Sequence, residues 1–281
     1  MDKATSEEID SVRDLVTRFM HNEVVPVMDE FEKRGEFPRA LVREAGEAGL
    51  YGAVFPESVG GSDMGYLAAA VIQEEMCRID VRFASCNNQQ GSTCPSAIYF
   101  GGTPHQIRKY VPDLLAGKAI GMMSLTESGG GSDPGGSMQT FARRDGDAYR
   151  ISGQKMFASI ANETDVGVLF AKTDRAAGAK GVTAFIVQPK KYPGWTAQPI
   201  DMMGLSNAFR TNVVYLDDFV VPAEDRLGDE GAASRSSCVR CSPGALGWQP
   251  RLWGLRGHAT RMRCVTRTSG LCAASQSVGF R

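Results

Sequence analysis

Ten residues, Ser124-Leu125-Thr126-Glu127-Ser128-Gly129-Gly130-Gly131-Ser132-Asp133, bring hydroxyls, a glycine run and two carboxylates together. Glycines let backbone N–H groups approach a phosphate closely, and Thr126, Ser128 and Ser132 add hydroxyl donors. The same composition serves equally as a plain flexible loop. Glu127 and Asp133 offer a pair of the kind used in general acid–base chemistry. Two later segments bear on the choice: Gly153-Gln154-Lys155-Met156-Phe157-Ala158-Ser159, and the run from Arg210 to Pro222. His21, His105 and His258 form no recognisable triad with Ser and Asp. Cys238-x-x-Cys241, followed by Cys264 and Cys272, lacks the second C-x-x-C of a zinc site, so no metal is expected.

The elements that must carry these residues fall into two kinds. Thr5-Ser6-Glu7-Glu8 is a capping box, and Ile9, Val12, Val16 and Phe19 follow at helical spacing, with Pro26 marking a break or restart. Pro38 opens a second helix that ends near Gly49. Tyr66–Ile79 is rich in Ala and apolar all round, which predicts a buried helix. Thr103, with Pro104 after it, caps a fourth helix that ends at Leu115. Beyond Gly121 the pattern changes to strands: Met138–Ala142 and Ala148–Ser152 flank the hairpin signal Asp145-Gly146, and Val166–Lys172, Val182–Gln188 and Thr211–Phe219 follow. The expected fold is α+β: a helical domain over 1–120, an antiparallel β-barrel-like domain over 121–231, and a third segment, 232–281, without sustained periodicity.

Composition narrows the function classes. The 281 residues are 42% hydrophobic and 22% charged, as in soluble globular proteins. A net charge of −1 gives no reason to expect nucleic acid. No apolar run is long enough to span a bilayer, and the acidic start (Glu7, Glu8, Asp10) is unlike a signal peptide, so a cytoplasmic location is expected. The charge is unevenly spread. Of 31 basic and 32 acidic residues, eight arginines and no Asp, Glu or Lys lie after Gly231, which leaves +8 there and −9 before it.

Taken in order, the three motifs resemble the flavin-dependent acyl-CoA dehydrogenase family, from about Glu7 to Gly231. The helix and turn Gly102–Gly117 also match that family. The resemblance implies FAD as cofactor, an acyl-CoA as substrate and an electron-transfer flavoprotein as acceptor. It places Met123 through Ser132, Gly131 included, along the flavin, with the Leu125 backbone and Thr126 hydroxyl facing the isoalloxazine ring. Ser132 is implied to reach the pyrophosphate and the CoA side of the substrate. Phe157-Ala158-Ser159 falls where the family usually has Trp-Ile-Thr, so Phe157 would cover the flavin and Ser159 keep the hydroxyl. Departures occur at Ser128, where proline is usual, and at Met123, often aromatic. Glu127 and Asp133 are implied to support the loop, and Asn87-Asn88-Gln89-Gln90 either borders the acyl pocket or serves as caps and loop before a helix.

In that family a glutamate of a C-terminal helical domain removes the α-proton, and full-length members form homo-oligomers. No acid follows Glu230 here, so no catalytic residue is assigned and the oligomer is not carried over. Read one base out of phase, 232–281 permits an ordered series resembling the opening helices of the missing domain, including Gly-Phe after Asp229-Glu230-Gly231-Ala232. A one-base slip near Ala232 would explain its arginine, cysteine and tryptophan content. A genuine basic tail for RNA or anionic lipid is the rival, against which stand its lack of lysine and poor aromatic interleaving. The expected function is oxidation of an acyl-CoA to the 2,3-enoyl-CoA. The alternatives are a truncated, non-catalytic remnant, or an acyl-CoA oxidase or monooxygenase on the same scaffold.

Overall fold

The computed structural model describes residues 5–131, 133–203 and 206–233; Ser132 and the whole Arg-rich segment from 234 lie outside the described residues. The helices are α1 (Ser6–Phe19), α2 (Val25–Arg34), α3 (Arg39–Glu47), α4 (Tyr66–Ile79), α5 (Val81–Asn88), α6 (Cys94–Gly101), α7 (Pro104–Leu115) and the single turn α8 (Pro134–Ser137). The strands are β1 (Gly121–Ser124), β2 (Phe141–Asp145), β3 (Ala148–Ser159), β4 (Val166–Lys172), β5 (Val182–Val187), β6 (Trp195–Pro199), β7 (Thr211–Pro222) and β8 (Arg226–Leu227).

Helix starts follow local chemistry. Thr5 and Glu8 close the expected capping box on α1, and Val12, Val16 and Phe19 are its buried face. The break at Pro26 takes the form of a π-helical turn, Met20–Val24, leading into α2 with the proline in its first turn, where the missing N–H costs no ladder bond. Thr103 and Gln106 form a second capping box on α7, with Pro104 at its first position. α4 departs from expectation. Ala68, Val71, Ile72 and Met76 are buried, but Tyr66 is 45% and Leu67 39% exposed. Composition alone could not show which flank of this apolar helix stays partly open to solvent.

The run Val81–Gly101 is a further departure. Asn87-Asn88-Gln89-Gln90 sits inside a continuous helical stretch, with a π-helical turn Gln89–Thr93 joining α5 to α6. Those polar residues are neither caps nor loop. Gln90 is fully buried, and its amide donates to the Leu114 and Ala119 carbonyls, both at 2.6 Å, while its oxygen accepts from the Gly121 amide at 2.9 Å. One side chain thus ties α5–α6 to the end of α7 and the start of β1.

All eight strands form one sheet in the order β6-β7-β3-β2-β4-β5-β8, with β1 beside β4. The hairpin β2–β3 turns at Gly146-Asp147, as the Asp-Gly signal predicts, with Gly146 at φ +59°. Pairing is mixed, not antiparallel throughout as strand patterning suggested. β1 runs parallel to β4 over Gly121–Ser124, and β2 meets the far end of β4 in parallel at Phe141 and Lys172. The reason is topological. The chain leaves β1, makes a loop and a hairpin, and returns to β4 in the original direction, a crossover that short-range alternation does not reveal. β4 and β5 are buried along their whole length, as their unbroken apolar runs require.

Helices and sheet share one core. The Arg39 guanidinium donates to Asp165 at 2.6 Å and to the Glu163 carbonyl at 2.7 Å, and Tyr110 donates to Asp225 at 2.7 Å. No helix among the described residues is long and apolar enough to cross a membrane.

Candidate functional site

Where β1 stops pairing at Ser124 and before β2 takes up the end of β4, the edge of β4 is vacated and the chain swings out as the Leu125–Thr140 loop. What holds this loop is a buried ion pair. Lys155, on β3 and fully buried, donates from Nζ to Glu127 Oε1 at 2.7 Å and to the Leu125 carbonyl at 3.3 Å. Glu127 accepts also from the amides of Gln139 (2.6 Å) and Thr140 (3.1 Å), so it closes the loop upon itself. Burial pushes the Glu127 carboxyl up, but the Lys155 charge and the hydrogen bonds outweigh it and leave its pKa lowered. For Lys155 burial wins, and its ammonium is pulled down to about 8.

A side chain at Gly130 would collide with Ser137, and one at Gly136 with the Asp133 carboxylate. Asp133 accepts from the Gly136 amide at 3.2 Å, capping α8. Glu127 is engaged at both oxygens, and Asp133, exposed, shapes the turn through Oδ1. Gly131 differs from its neighbours, because a Cβ there would meet only a Thr126 methyl at 3.9 Å.

Across from the loop, β3 carries a bulge between Lys155 and Ala158. The Met156 amide donates to the Thr126 carbonyl at 2.9 Å, which seats the bulge against the loop. The bulge reverses the strand's alternation. Lys155 and Ala158 point inward, and Phe157 stands 52% exposed at φ +59°, a left-handed conformation disfavoured for an aromatic residue. Ser159 is half-buried at the strand end.

Met123, Leu125, Thr126, Phe157 and Ser159 thus lie in adjoining stretches of β1, loop and bulge, each partly open to solvent, and Gly131 is exposed on the same loop. Ala158 is buried beneath them, and Ser132 lies outside the described residues. The Ser124 hydroxyl is buried with no partner, one residue before the loop. Behind β1, Gln89 Oε1 accepts from the Met123 amide at 3.2 Å and from the Thr93 hydroxyl at 2.8 Å. Sequence reading gave Lys155 no role. Its signal was parity: it shares the inward face with Tyr149 and Ile151, where a lysine demands a buried acid.

An open aromatic on a strained bulge and hydroxyls at Thr126 and Ser159 suit a planar ring lying against the strand ends. The Acyl-CoA dehydrogenase, N-terminal domain family matches residues 6–118, and the Acyl-CoA dehydrogenase, middle domain family matches 122–219. The chain belongs to the acyl-CoA dehydrogenase family. Glutaryl-CoA dehydrogenase of Desulfococcus multivorans is 34% identical over 238 residues, 84% of this chain and 61% of the relative. The short-chain specific acyl-CoA dehydrogenase of Clostridium acetobutylicum is 32% identical over 256 residues, covering 91% and 67%. A glutaryl-CoA dehydrogenase from Mycobacterium smegmatis, solved in complex with FADH2, superposes with a TM-score of 0.75 at 28% identity, over 84% of this chain and 59% of that one. The chain therefore spans about 61% to 67% of the length of these two curated relatives. The middle-domain family match ends at Phe219, whereas the match to the Clostridium acetobutylicum relative, over 91% of this chain, extends into the Arg-rich segment.

Proposed function

We propose that this chain binds FAD against the β1 end and the β3 bulge, and serves the α,β-dehydrogenation of an acyl-CoA to the 2,3-enoyl-CoA. The observation that carries the reading is Phe157, held open on a left-handed bulge whose neighbour Met156 is bonded to Thr126. Bound there, FAD supplies an acceptor for the hydride leaving the β-carbon. Phe157 covers the ring, the Leu125 backbone and Thr126 hydroxyl face it, and Ser159 offers a further hydroxyl. Met123 and Ala158 line the strand ends, and Gly131 leaves room for the cofactor. Ser132, outside the described residues, is the residue we assign to the pyrophosphate and the CoA side of the substrate. The Lys155–Glu127 pair holds the loop in place without touching the ring. Glu127, engaged at both oxygens, is not free to take the α-proton; no base is assigned in this chain, and the acceptor of that proton is the glutamate that the resemblance puts in a C-terminal helical domain. An electron-transfer flavoprotein as acceptor, a cytoplasmic setting and a place in fatty-acid breakdown complete the reading.

The test is titration of the purified full chain with FAD, followed by flavin fluorescence and absorbance. Saturable binding at one site per chain, weakened about tenfold or more in Phe157→Ala by loss of a stacking face, supports the proposal. No uptake overturns it. Anaerobic bleaching by butyryl-CoA extends the reading from binding to dehydrogenation. Bound flavin that stays oxidised makes the chain a flavin-binding protein without turnover. A reduced flavin that reoxidises rapidly in air favours an oxidase over a dehydrogenase.

A further inference from the structure

The end of β3 carries two left-handed residues that are not glycine. Phe157 lies at φ +59° and Ile160 at φ +53°, and for a β-branched residue such a backbone is an outlier. Between them stand Ala158 and Ser159, paired with Asn212 and Thr211 of β7. Asn212 has no exposure to water. Its Nδ2 donates to the Ala158 carbonyl at 3.2 Å, to Asn162 Oδ1 at 3.1 Å and to the Arg210 carbonyl at 3.0 Å. Three oxygens around one nitrogen fix the way the carboxamide faces. The Arg210 carbonyl accepts also from the Ile160 amide, at 2.8 Å. Ile160 then opens a tight turn, its own carbonyl accepting from the Glu163 amide at 2.9 Å and the Thr164 hydroxyl at 3.0 Å. The chain leaving β3 is thus wrapped around one buried amide. Asn212 Oδ1, by contrast, is buried with no hydrogen-bond partner among the described residues.

Each of these features costs stability. A left-handed side-chain-bearing residue is strained, and a buried acceptor without a donor has given up water for nothing. All three costs fall at the facing ends of two strands, and Ser159 is the residue they surround. Its hydroxyl is half-buried and makes no hydrogen bond among the described residues. Strain that persists against its cost marks a place where position is served ahead of stability. We infer that Asn212 is a positioning residue: by holding the Ala158 and Arg210 carbonyls it fixes the backbone from Phe157 to Ile160, and so aims the Ser159 hydroxyl at the flavin ring. Without that amide the segment is free to relax out of the left-handed region, and Ser159 moves with it. Asn212 is fully buried and acts only through Ser159. The inference rests on the FAD reading.

The test is a double-mutant cycle on the full chain. It reads FAD affinity and the visible absorption maximum of the bound flavin, with melting curves to verify folding. Ser159→Ala should weaken FAD binding about threefold to tenfold and shift the absorption maximum, because a hydrogen bond to the ring is lost. Asn212→Leu should do the same, and the two changes together should add at most about twofold to either alone. A general loosening of the fold would weaken binding by the same factor with or without the Ser159 hydroxyl, so independent factors in the double variant overturn the inference. Wild-type affinity and spectrum in Asn212→Leu, or in Ser159→Ala, also overturn it and leave the FAD reading standing. If Asn212→Leu does not fold, Asn162→Ala decides. Asn162 is exposed, so its truncation leaves the fold intact, and the flavin spectrum should move toward that of Ser159→Ala. An unmoved spectrum in that variant overturns the inference. No FAD uptake by the folded wild-type chain overturns both the inference and the reading beneath it.

Discussion

Lys155 shows what one residue can decide here. An ammonium with no exposure to water is held by a single carboxylate at 2.7 Å and one carbonyl, and everything the loop does depends on that anchor. Removing one partner strands the other charge, so Lys155→Met should cost about 3–5 kcal/mol in urea unfolding, whereas Lys155→Met with Glu127→Leu should recover much of the loss. The pair also sets a pH dependence. The folded pKa of Lys155, about 8, lies below its ordinary 10.5, so the unfolded chain binds more protons between those values and stability rises with pH. The contribution of Lys155 is full above 10.5 and lost as pH falls through about 8. Urea midpoints from pH 8 to 10 should show an upward slope, at most about 1.4 kcal/mol per pH unit, that Lys155→Met lacks. Glu127 acts in the same sense lower down: its pKa is lowered, so its contribution is lost as pH falls below the ordinary carboxylate range.

At the scale of elements, strand β3 is the informative one. It is twelve residues long and its pairing with β7 slips twice, between Ile151 and Gly153, where the extra residue is on β7, and between Lys155 and Ala158, where it is on β3. Each irregularity has a use. At the first, Gly153 sits at φ +148°, and a Cβ would come within 2.7 Å of the Thr140 Cα, so the strand passes the end of the loop at contact. Gly153→Ala should destabilise by about 1–3 kcal/mol, read from thermal melts. At the second, Phe157 bears a left-handed backbone that glycine would adopt freely. Phe157→Gly should leave stability unchanged or raise it by up to about 1 kcal/mol while FAD binding weakens. Opposite signs in those two measurements would mark Phe157 as a residue kept for its ligand. The hairpin and the capped helices were legible because their signals are local: Asp145-Gly146, Thr5 with Glu8, Thr103 with Pro104. The α5–α6 run was not, because Asn87 to Gln90 read as loop until their burial partners are known.

For the molecule as a whole, the helical half and the sheet are sewn together by a few polar side chains that reach backbone groups. Gln90 satisfies three at once, on α7, on the Ala119 link and on β1. Gln90→Leu would strip the Gly121 amide and the Ala119 carbonyl of this partner, at roughly 1–3 kcal/mol each, while the Leu114 carbonyl still accepts from the Gly117 amide at 3.0 Å. The expected outcome is a chain that melts well below the wild type, or unfolds in two steps as β1 parts from α5–α6. A variant within about 1 kcal/mol of wild type would mean that the packed interface, not Gln90, holds the halves together. Arg39 and Tyr110 act in the same way at other points of the seam, each paired with an acid of the sheet half.

The sequence by itself determined the two kinds of architecture, most helix starts, the hairpin and the motifs that place this chain among the acyl-CoA dehydrogenases. All of these depend on residues within a turn or two of each other, where capping, spacing and turn chemistry act directly. Only the tertiary structure decided that β1 lies parallel to β4, that Lys155 is the inward anchor of the Glu127 loop, and that the polar run at Asn87–Gln90 is helix. The same holds for Asn212 inside the turn that follows β3. Each of these is a meeting of residues far apart in the chain, and a charge or amide is worth burying only where a distant partner satisfies it.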